Sequence, residues 1–177
     1  FTGFFLTFMG RGFLNQMYQS YCDHSESGLL VAEDETGKAV GFLAFSTNFS
    51  GLYKYMIRTR LVQFGWYSVG AFFRRPSAFM HIIRAFLKPS EVRRKEPYVE
   101  LSSIGVDPAI KSRGVGTLLV NGLKKQVDFK KYAYISLETD AVNNKASIHF
   151  YEKNGFVRER MFETDEGRKM YEYRFME

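Results

Sequence analysis

The sequence has few of the residues that stabilise small secreted proteins or hold metal ions. There is one cysteine, Cys22, so no disulfide can form within the chain, and nothing in it requires an oxidising compartment. The three histidines, His24, His81 and His149, form no cluster at metal-ligand spacing, and no CxxC or HExxH pattern occurs. We therefore expect no bound metal.

Long uncharged apolar runs are lacking as well. No stretch of about 18 such residues is present, so no transmembrane helix is expected. No signal-peptide layout is visible, which favours a cytoplasmic protein. The composition, 45% hydrophobic and 25% charged, is typical of a globular protein, and the 177 residues suit a single domain over residues 1–177.

Positive charge is concentrated in one segment, residues 51–95. It holds ten basic side chains and one acid, Glu91, a net charge of +9, whereas the remaining residues carry −3. Such a patch suits an anionic group on a substrate or a membrane surface, and less well nucleic acid. Solvated Lys and Arg heads whose stems cover a helical core explain it equally well.

Hydrophobic periodicity predicts helices and strands in alternation. The predicted elements, in chain order, are a helix over 12–21, strands over 29–32 and 39–45, helices over 52–70 and 76–87, a strand over 98–106, a helix from 114, a strand over 132–139, a helix over 144–153, and strands over 156–163 and 170–176. Gly155 follows the helix over 144–153 as a C-terminal cap would. This order implies α/β architecture with a mixed sheet.

A glycine-containing loop joins the strand at 98–106 to the next helix. Gly114 and Gly116 allow a tight turn and a close approach to a ligand. The start of a helix exposes unpaired N–H groups and the positive end of its dipole, which together suit a diphosphate. Lys111, Arg113 and the Thr117 hydroxyl would add to such a site.

Other phosphate-binding loops fit this segment less well. Leu119 stands where a dinucleotide fingerprint needs a third glycine, and no GxxxxGK[ST] pattern exists. Taken alone, the G-x-G pattern is equally consistent with an ordinary helix start.

A second motif, Asn144 to Phe156, follows the next strand. Here the chain resembles the GNAT superfamily of N-acetyltransferases, whose signatures are [Q/R]-x-x-G-x-[G/A] and N-x-x-[A/S]-x-x-x-Y-x-x-x-G-F. Lys111 to Gly116 fits the first signature, with Lys in the Gln/Arg place, and Asn144 to Phe156 matches the second. The resemblance is clear over residues 98–177 and looser over the hairpin at 29–45.

The resemblance implies a GNAT-like α/β fold, with a mixed, mostly antiparallel central sheet flanked by helices and residues 51–95 as a helical insert before the fourth strand. It implies acetyl-CoA as cosubstrate, with the backbone of residues 104–106 pairing with pantetheine and polarising the thioester carbonyl. The cofactor-binding residues that it implies are Ile104, Gly105, Val106, Lys111, Ser112, Arg113, Gly114, Val115, Gly116, Thr117, Asn144, Ser147, Tyr151 and Lys153.

Acetyl transfer to an alkyl amine needs a base, because the ammonium form has a pKa of roughly 10. Glu100 is the candidate: it is an acid on a strand of apolar or small residues, and its place is similar to that of the base in family members that use a carboxylate there. A water molecule would relay the proton where the Glu100 carboxylate and the amine are not in contact. Glu138 and His149 are rival bases, and a solvent-facing or Arg-paired glutamate is the other interpretation of Glu100.

Two residues of the second motif have competing interpretations. The resemblance implies that Tyr151 is the general acid toward the coenzyme A thiolate, although a tyrosine on an amphipathic helix is commonly a core residue. It implies that Asn144 bonds the cofactor, and Asn144 also suits a helix N-cap.

The resemblance, with these residues, implies an acetyl-CoA-dependent N-acetyltransferase that acts by direct attack of a primary amine of a small molecule. The basic segment favours an amino sugar or a nucleotide-linked sugar as acceptor. A non-catalytic acyl-CoA-binding sensor and a basic module in peripheral contact with a membrane are the alternatives. A homodimer is left open.

Overall fold

The computed structural model describes residues 10–74, 96–110, 113–164 and 167–177. The elements are α1 (Arg11–Asp23), β1 (Ser27–Glu33), β2 (Ala39–Ser46), α2 (Phe49–Arg74), β3 (Tyr98–Val106), a short 3₁₀ helix (Pro108–Ile110), α3 (Val115–Gln126), β4 (Tyr134–Asp140), α4 (Lys145–Lys153), β5 (Val157–Glu163) and β6 (Lys169–Phe175). They form two compact units, one with α1 and α2 and the other with the sheet, α3 and α4. The single domain over residues 1–177 stays a prediction.

In the helical unit, α1 and α2 pack against each other. The rings of Phe13 and Phe64 lie with centroids 4.8 Å apart. Arg60 of α2 donates to the side-chain oxygen of Gln19 at 2.9 Å and forms an ion pair with Asp23. The helix α2 covers the one predicted over 52–70, whereas the predicted helix over 76–87 lies outside the described residues.

In the second unit, six strands form one sheet in the order β1-β2-β3-β4-β6-β5. The pairs β2–β3, β4–β6 and β5–β6 are antiparallel, and β3–β4 is parallel. This confirms the predicted mixed, mostly antiparallel sheet flanked by helices. The predicted strands and helices of residues 98–177 appear in the expected order, with ends that differ by one or two residues.

A single hydrophobic core joins α3 and α4 to one face of the sheet. Its buried residues include Leu43, Val99, Leu101, Leu119, Val120, Leu123, Ile135, Leu137, Tyr151, Phe156 and Tyr173. The spacing of the buried leucines and valine on α3 is that of an amphipathic helix. The core therefore fixes where α3 and α4 begin relative to the strands.

The end of α4 confirms the predicted glycine cap. Gly155 has a φ of 81° and its N–H donates to the carbonyl of Glu152 at 3.0 Å. The N–H of Phe156 donates to the carbonyl of Tyr151 at 3.1 Å, which completes the Schellman pattern. Phe156 is thereby turned back into the core, where it is 3% exposed.

We expect Leu123→Ala to lower the free energy of unfolding by about 2–5 kcal/mol, because Leu123 is fully buried and its loss leaves a cavity. Leu118→Ala is the matched control: Leu118 lies on the same helix and is 65% exposed, so a change within about 0.5 kcal/mol is expected. Denaturant unfolding measures both variants. Equal losses would contradict the assignment of the buried face of α3.

Candidate active site

The parallel strands β3 and β4 are hydrogen-bonded over only part of their length. Tyr98 pairs with Tyr134, Val99 with Ile135 and Glu100 with Ser136, and the pairing stops there. Both strands continue, β3 to Val106 and β4 to Asp140. The sheet therefore opens between them, with Glu100 and Ser136 at its closed end.

The edge of β3 that faces this opening carries three of the predicted cofactor contacts, Ile104, Gly105 and Val106. On its other side β3 stays paired with β2 as far as Val106. The strand is thus held by one neighbour while its second edge is left without the ladder bonds that β4 would supply. Such an edge can pair with an extended ligand that carries amide groups.

A bulge in β3 lies next to the closed end of the opening. Ala44 of β2 pairs with Ser103 and Phe45 pairs with Leu101, so Ser102 is the extra residue. The Ser102 hydroxyl is buried and has no hydrogen-bond partner among the described residues. A bulge of this kind bends the strand and alters the direction of neighbouring side chains.

Ser136, beside Glu100, also has a buried hydroxyl without a partner in the described part of the chain. Its side chain is fully buried. A buried polar group that lacks a partner costs about 1–3 kcal/mol, so such groups call for an explanation in terms of function or bound solvent. Sequence reasoning missed Ser136, because nothing local marks a serine of a buried strand as unpaired.

The loop after β3 is fixed by backbone bonds. The N–H of Asp107 donates to the carbonyl of Val40 at 2.8 Å, and the Asp107 carboxylate accepts the N–H of Ala109 at 2.9 Å. Arg113 is exposed. Lys111 and Ser112, two of the predicted cofactor contacts, lie outside the described residues.

The first turn of α3 presents backbone donors that have no acceptor within the helix. Gly114, its N-cap, has a φ of 81° and no side-chain capping bond, and the first helical bond runs from the Leu118 N–H to the Gly114 carbonyl at 2.9 Å. The N–H groups of Val115, Gly116 and Thr117 therefore have no acceptor within the helix. A Cβ at Gly114 would meet none of the described residues within 4 Å, so none of them fills the space beside this turn.

At Gly116 the fold leaves no room for a side chain. A Cβ there would lie 2.9 Å from the ring of Phe150 and 3.8 Å from the side chain of Val106. The end of β3, the start of α3 and the middle of α4 therefore meet at Gly116. The two sequence motifs, which are separated by a strand in the chain, are in contact in the fold.

Tyr151 lies next to Phe150 on α4 and belongs to the core. Its ring centroid is 5.3 Å from that of Phe150 and 6.0 Å from that of Phe156. Burial disfavours the phenolate and raises the pKa of Tyr151 to about 12. Tyr151 thus stays protonated at neutral pH.

Glu100 lies on the face of the sheet opposite to that core, since its neighbours Val99 and Leu101 are both core residues. It is half-buried, and the Tyr98 hydroxyl donates to its Oε2 at 3.4 Å. Tyr98 is stacked on Tyr134, with ring centroids 5.7 Å apart. Glu100 and Tyr151 therefore lie on opposite faces of the sheet.

The other predicted residues of the second motif differ in exposure. Ser147 is half-buried, whereas Lys153 and the rival base His149 are exposed. Asn144 occupies the N-cap position of α4, but its side chain does not cap the helix. Its Nδ2 instead donates to the Thr139 hydroxyl at 2.7 Å, which ties the end of β4 to the start of α4.

The non-core face of the sheet also carries a buried charge cluster that the sequence did not reveal. Glu172 is fully buried and accepts from Nε of Arg160 at 2.7 Å and from Nε of Arg174 at 3.1 Å. Glu138, the second rival base, lies opposite Glu172 in the register of β4 and β6 and is exposed.

Among the described residues no group of three or more His, Cys, Asp or Glu is arranged to hold a metal ion.

A family model described as the acetyltransferase (GNAT) family matches residues 4–156. The chain belongs to this family. No curated protein matches the sequence closely enough to count as a relative. Membership accounts for the agreement between the two motifs and the fold that brings them together.

Solved structures of the GNAT fold are similar to this chain. A Bacillus anthracis str. Ames protein, provisionally assigned as a streptothricin acetyltransferase and in complex with acetyl coenzyme A, has a TM-score of 0.58 and 18% identity over 90% of this chain and 68% of that chain. Arabidopsis thaliana NAA60 in complex with acetyl-CoA has a TM-score of 0.52 and 13% identity, with 89% and 80% coverage. A chimera of Vibrio cholerae spermidine N-acetyltransferase SpeG and hSSAT has a TM-score of 0.53 and 15% identity, with 92% and 74% coverage.

The raised pKa of Tyr151 predicts a specific loss of stability in alkali. Above about pH 10 the unfolded chain loses this proton and the folded chain keeps it, so the free energy of unfolding falls as the pH rises toward about 12. Between about pH 8 and 11 the wild type should lose roughly 1 kcal/mol more than Tyr151→Phe. Urea unfolding across this range measures the difference, and parallel curves for the two proteins would contradict the buried, protonated state.

Proposed function

We propose that this chain transfers the acetyl group of acetyl-CoA to a primary amine of a small molecule by direct attack. The observation that carries the proposal is the opening between β3 and β4, which lies between the free N–H groups of α3 and the pair Glu100 and Ser136. A cofactor with a diphosphate at one end and a thioester at the other matches this arrangement. Family membership supports the same donor.

The diphosphate would bind at the first turn of α3. The N–H groups of Val115, Gly116 and Thr117 and the positive end of the helix dipole favour an anion there. The pantetheine amides would pair with the open edge of β3 at residues 104–106. The thioester would then lie toward the closed end of the opening, where it is reached from both faces of the sheet.

The chemistry would be divided between the two faces. Glu100, directly or through a water molecule, takes a proton from the ammonium, and the nitrogen lone pair attacks the thioester carbonyl carbon. The C–S bond then breaks, Tyr151 gives its proton to the leaving thiolate, and the second proton of the attacking nitrogen passes to water, which leaves the neutral amide. Burial keeps the Tyr151 phenol protonated until the thiolate develops.

The acceptor is proposed to be a small amine. Glu100 and Glu138 lie on the same face, beside the opening, and their carboxylates attract an ammonium group. An amino sugar or nucleotide-linked sugar remains the proposed class because residues 51–95 carry a net charge of +9, which suits an anionic group elsewhere on the acceptor.

Gly114→Glu should abolish acetyl-CoA binding, because it places a carboxylate in the open space before the free N–H groups. Gly114→Ala is the matched control, since it imposes the same strain at positive φ without the charge. In calorimetric titrations of acetyl-CoA we expect a loss of at least about 100-fold for Glu and less than about 10-fold for Ala. Equal losses, or no binding by the wild type, would contradict the proposed diphosphate site.

Glu100→Gln should lower kcat by about 10²–10⁴ while leaving acetyl-CoA affinity nearly unchanged, because it removes the base and keeps the shape. A higher pH should restore part of the rate, since more of the amine is then neutral. Thiol release with a panel of amines measures this, and Glu138→Gln is the matched control. A larger loss in the control would assign the base to Glu138, and acetyl-CoA binding without turnover for any amine would favour an acyl-CoA sensor.

A further inference from the structure

The helix α2 has an unusual charge and surface for a helix of a globular protein. Its 26 residues, Phe49–Arg74, include no acid. Of its basic residues, Arg60 is bound to Asp23 of α1, whereas Lys54 and Arg58 are exposed. One side of α2 is therefore cationic and has no acid of its own helix to neutralise it.

The same side of α2 exposes large apolar residues. Leu61 is 63% exposed, Val62 82%, Trp66 76% and Val69 48%. At helical spacing Lys54, Arg58, Leu61 and Val69 share one side of the helix, with Val62 and Trp66 beside them. The opposite side is the packed one, because Phe64 and Arg60 contact α1 there.

We propose that this exposed side of α2, formed by Lys54, Ile57, Arg58, Leu61, Val62, Trp66 and Val69, binds the surface of a membrane that contains anionic lipids. Apolar and aromatic side chains enter the boundary between headgroups and acyl chains, and Lys and Arg pair with lipid phosphates. Tryptophan is favoured at that boundary because its ring is apolar and its N–H can bond to polar groups. Among the described residues no helix is both long and apolar enough to cross a membrane.

Charge favours lipid over a second copy of the chain. Two copies that met through this side would bring Lys54 and Arg58 of both chains together with no acid on α2 to pair with them. Anionic headgroups supply the missing charge along the whole side. The apolar part, from Ile57 to Val69, extends over roughly 18 Å at 1.5 Å per residue, which suits a helix lying in the membrane plane.

The chain provides its own reporter for this interaction. Trp66 is the single tryptophan of the sequence. Titration of the whole protein with vesicles of phosphatidylcholine and phosphatidylglycerol should shift its emission to the blue, and added salt should weaken the binding. Vesicles of phosphatidylcholine alone should bind at least about tenfold more weakly.

Two double variants that keep Trp66 separate the contributions of apolar contacts and of charge to lipid binding. Leu61→Ser with Val62→Ser removes apolar contacts, and Lys54→Glu with Arg58→Glu reverses the charge. Each double variant should weaken binding to the anionic vesicles at least about tenfold. Val157→Ser on β5 is the matched control, because Val157 is 64% exposed but lies in the other unit, and it should bind as the wild type does.

Three results would overturn the proposal. The first is no emission shift with anionic vesicles, and the second is equal binding by the wild type and both double variants. The third is a blue shift that grows with protein concentration without lipid, together with a dimer in light scattering, which would assign this side of α2 to a second copy. None of these results depends on acetyl transfer, so the proposed activity is tested separately.

Discussion

The separation of β3 from β4 after Glu100 and Ser136 is the constraint on which the candidate active site depends. A parallel pair that continued to Val106 would satisfy every backbone group of both strands and leave no space for a ligand. Because pairing stops at Glu100, the edge of β3 has backbone groups available for an extended molecule. The bulge at Ser102 lies at the same place, where a change of strand direction is needed.

The two strands that border the opening are each held by their other neighbour in the sheet. On one side of the opening β3 is paired with β2 to its end, and on the other β4 is paired with β6 to Asp140. The core between α3, α4 and the sheet contains fully buried apolar side chains such as Leu123 and Leu137. That burial offsets the cost of leaving the hydroxyls of Ser102 and Ser136 without partners in the described part of the chain.

Tyr151 combines a packing role in the core with the chemical role proposed for it. Its ring belongs to the core, which is the ordinary interpretation of a tyrosine on an amphipathic helix. The same burial raises its pKa, so the phenol stays protonated well above neutral pH. Asn144 differs from Tyr151. Its sequence position suggested a bond to the cofactor or a helix N-cap, whereas its side chain donates to the hydroxyl of Thr139.

The sequence by itself determined what depends on neighbours along the chain. Periodicity located the strands and helices of residues 98–177, Gly155 marked the end of α4, and the two motifs identified the family and named the glycines of the loop. Tertiary structure decided what depends on distant partners: the end of β3–β4 pairing, the buried Ser136 and Glu172, the contact of Gly116 with Phe150, and the exposed side of α2. Local propensity acts over a few residues, whereas register, burial and exposure are set by segments that meet only when the chain folds.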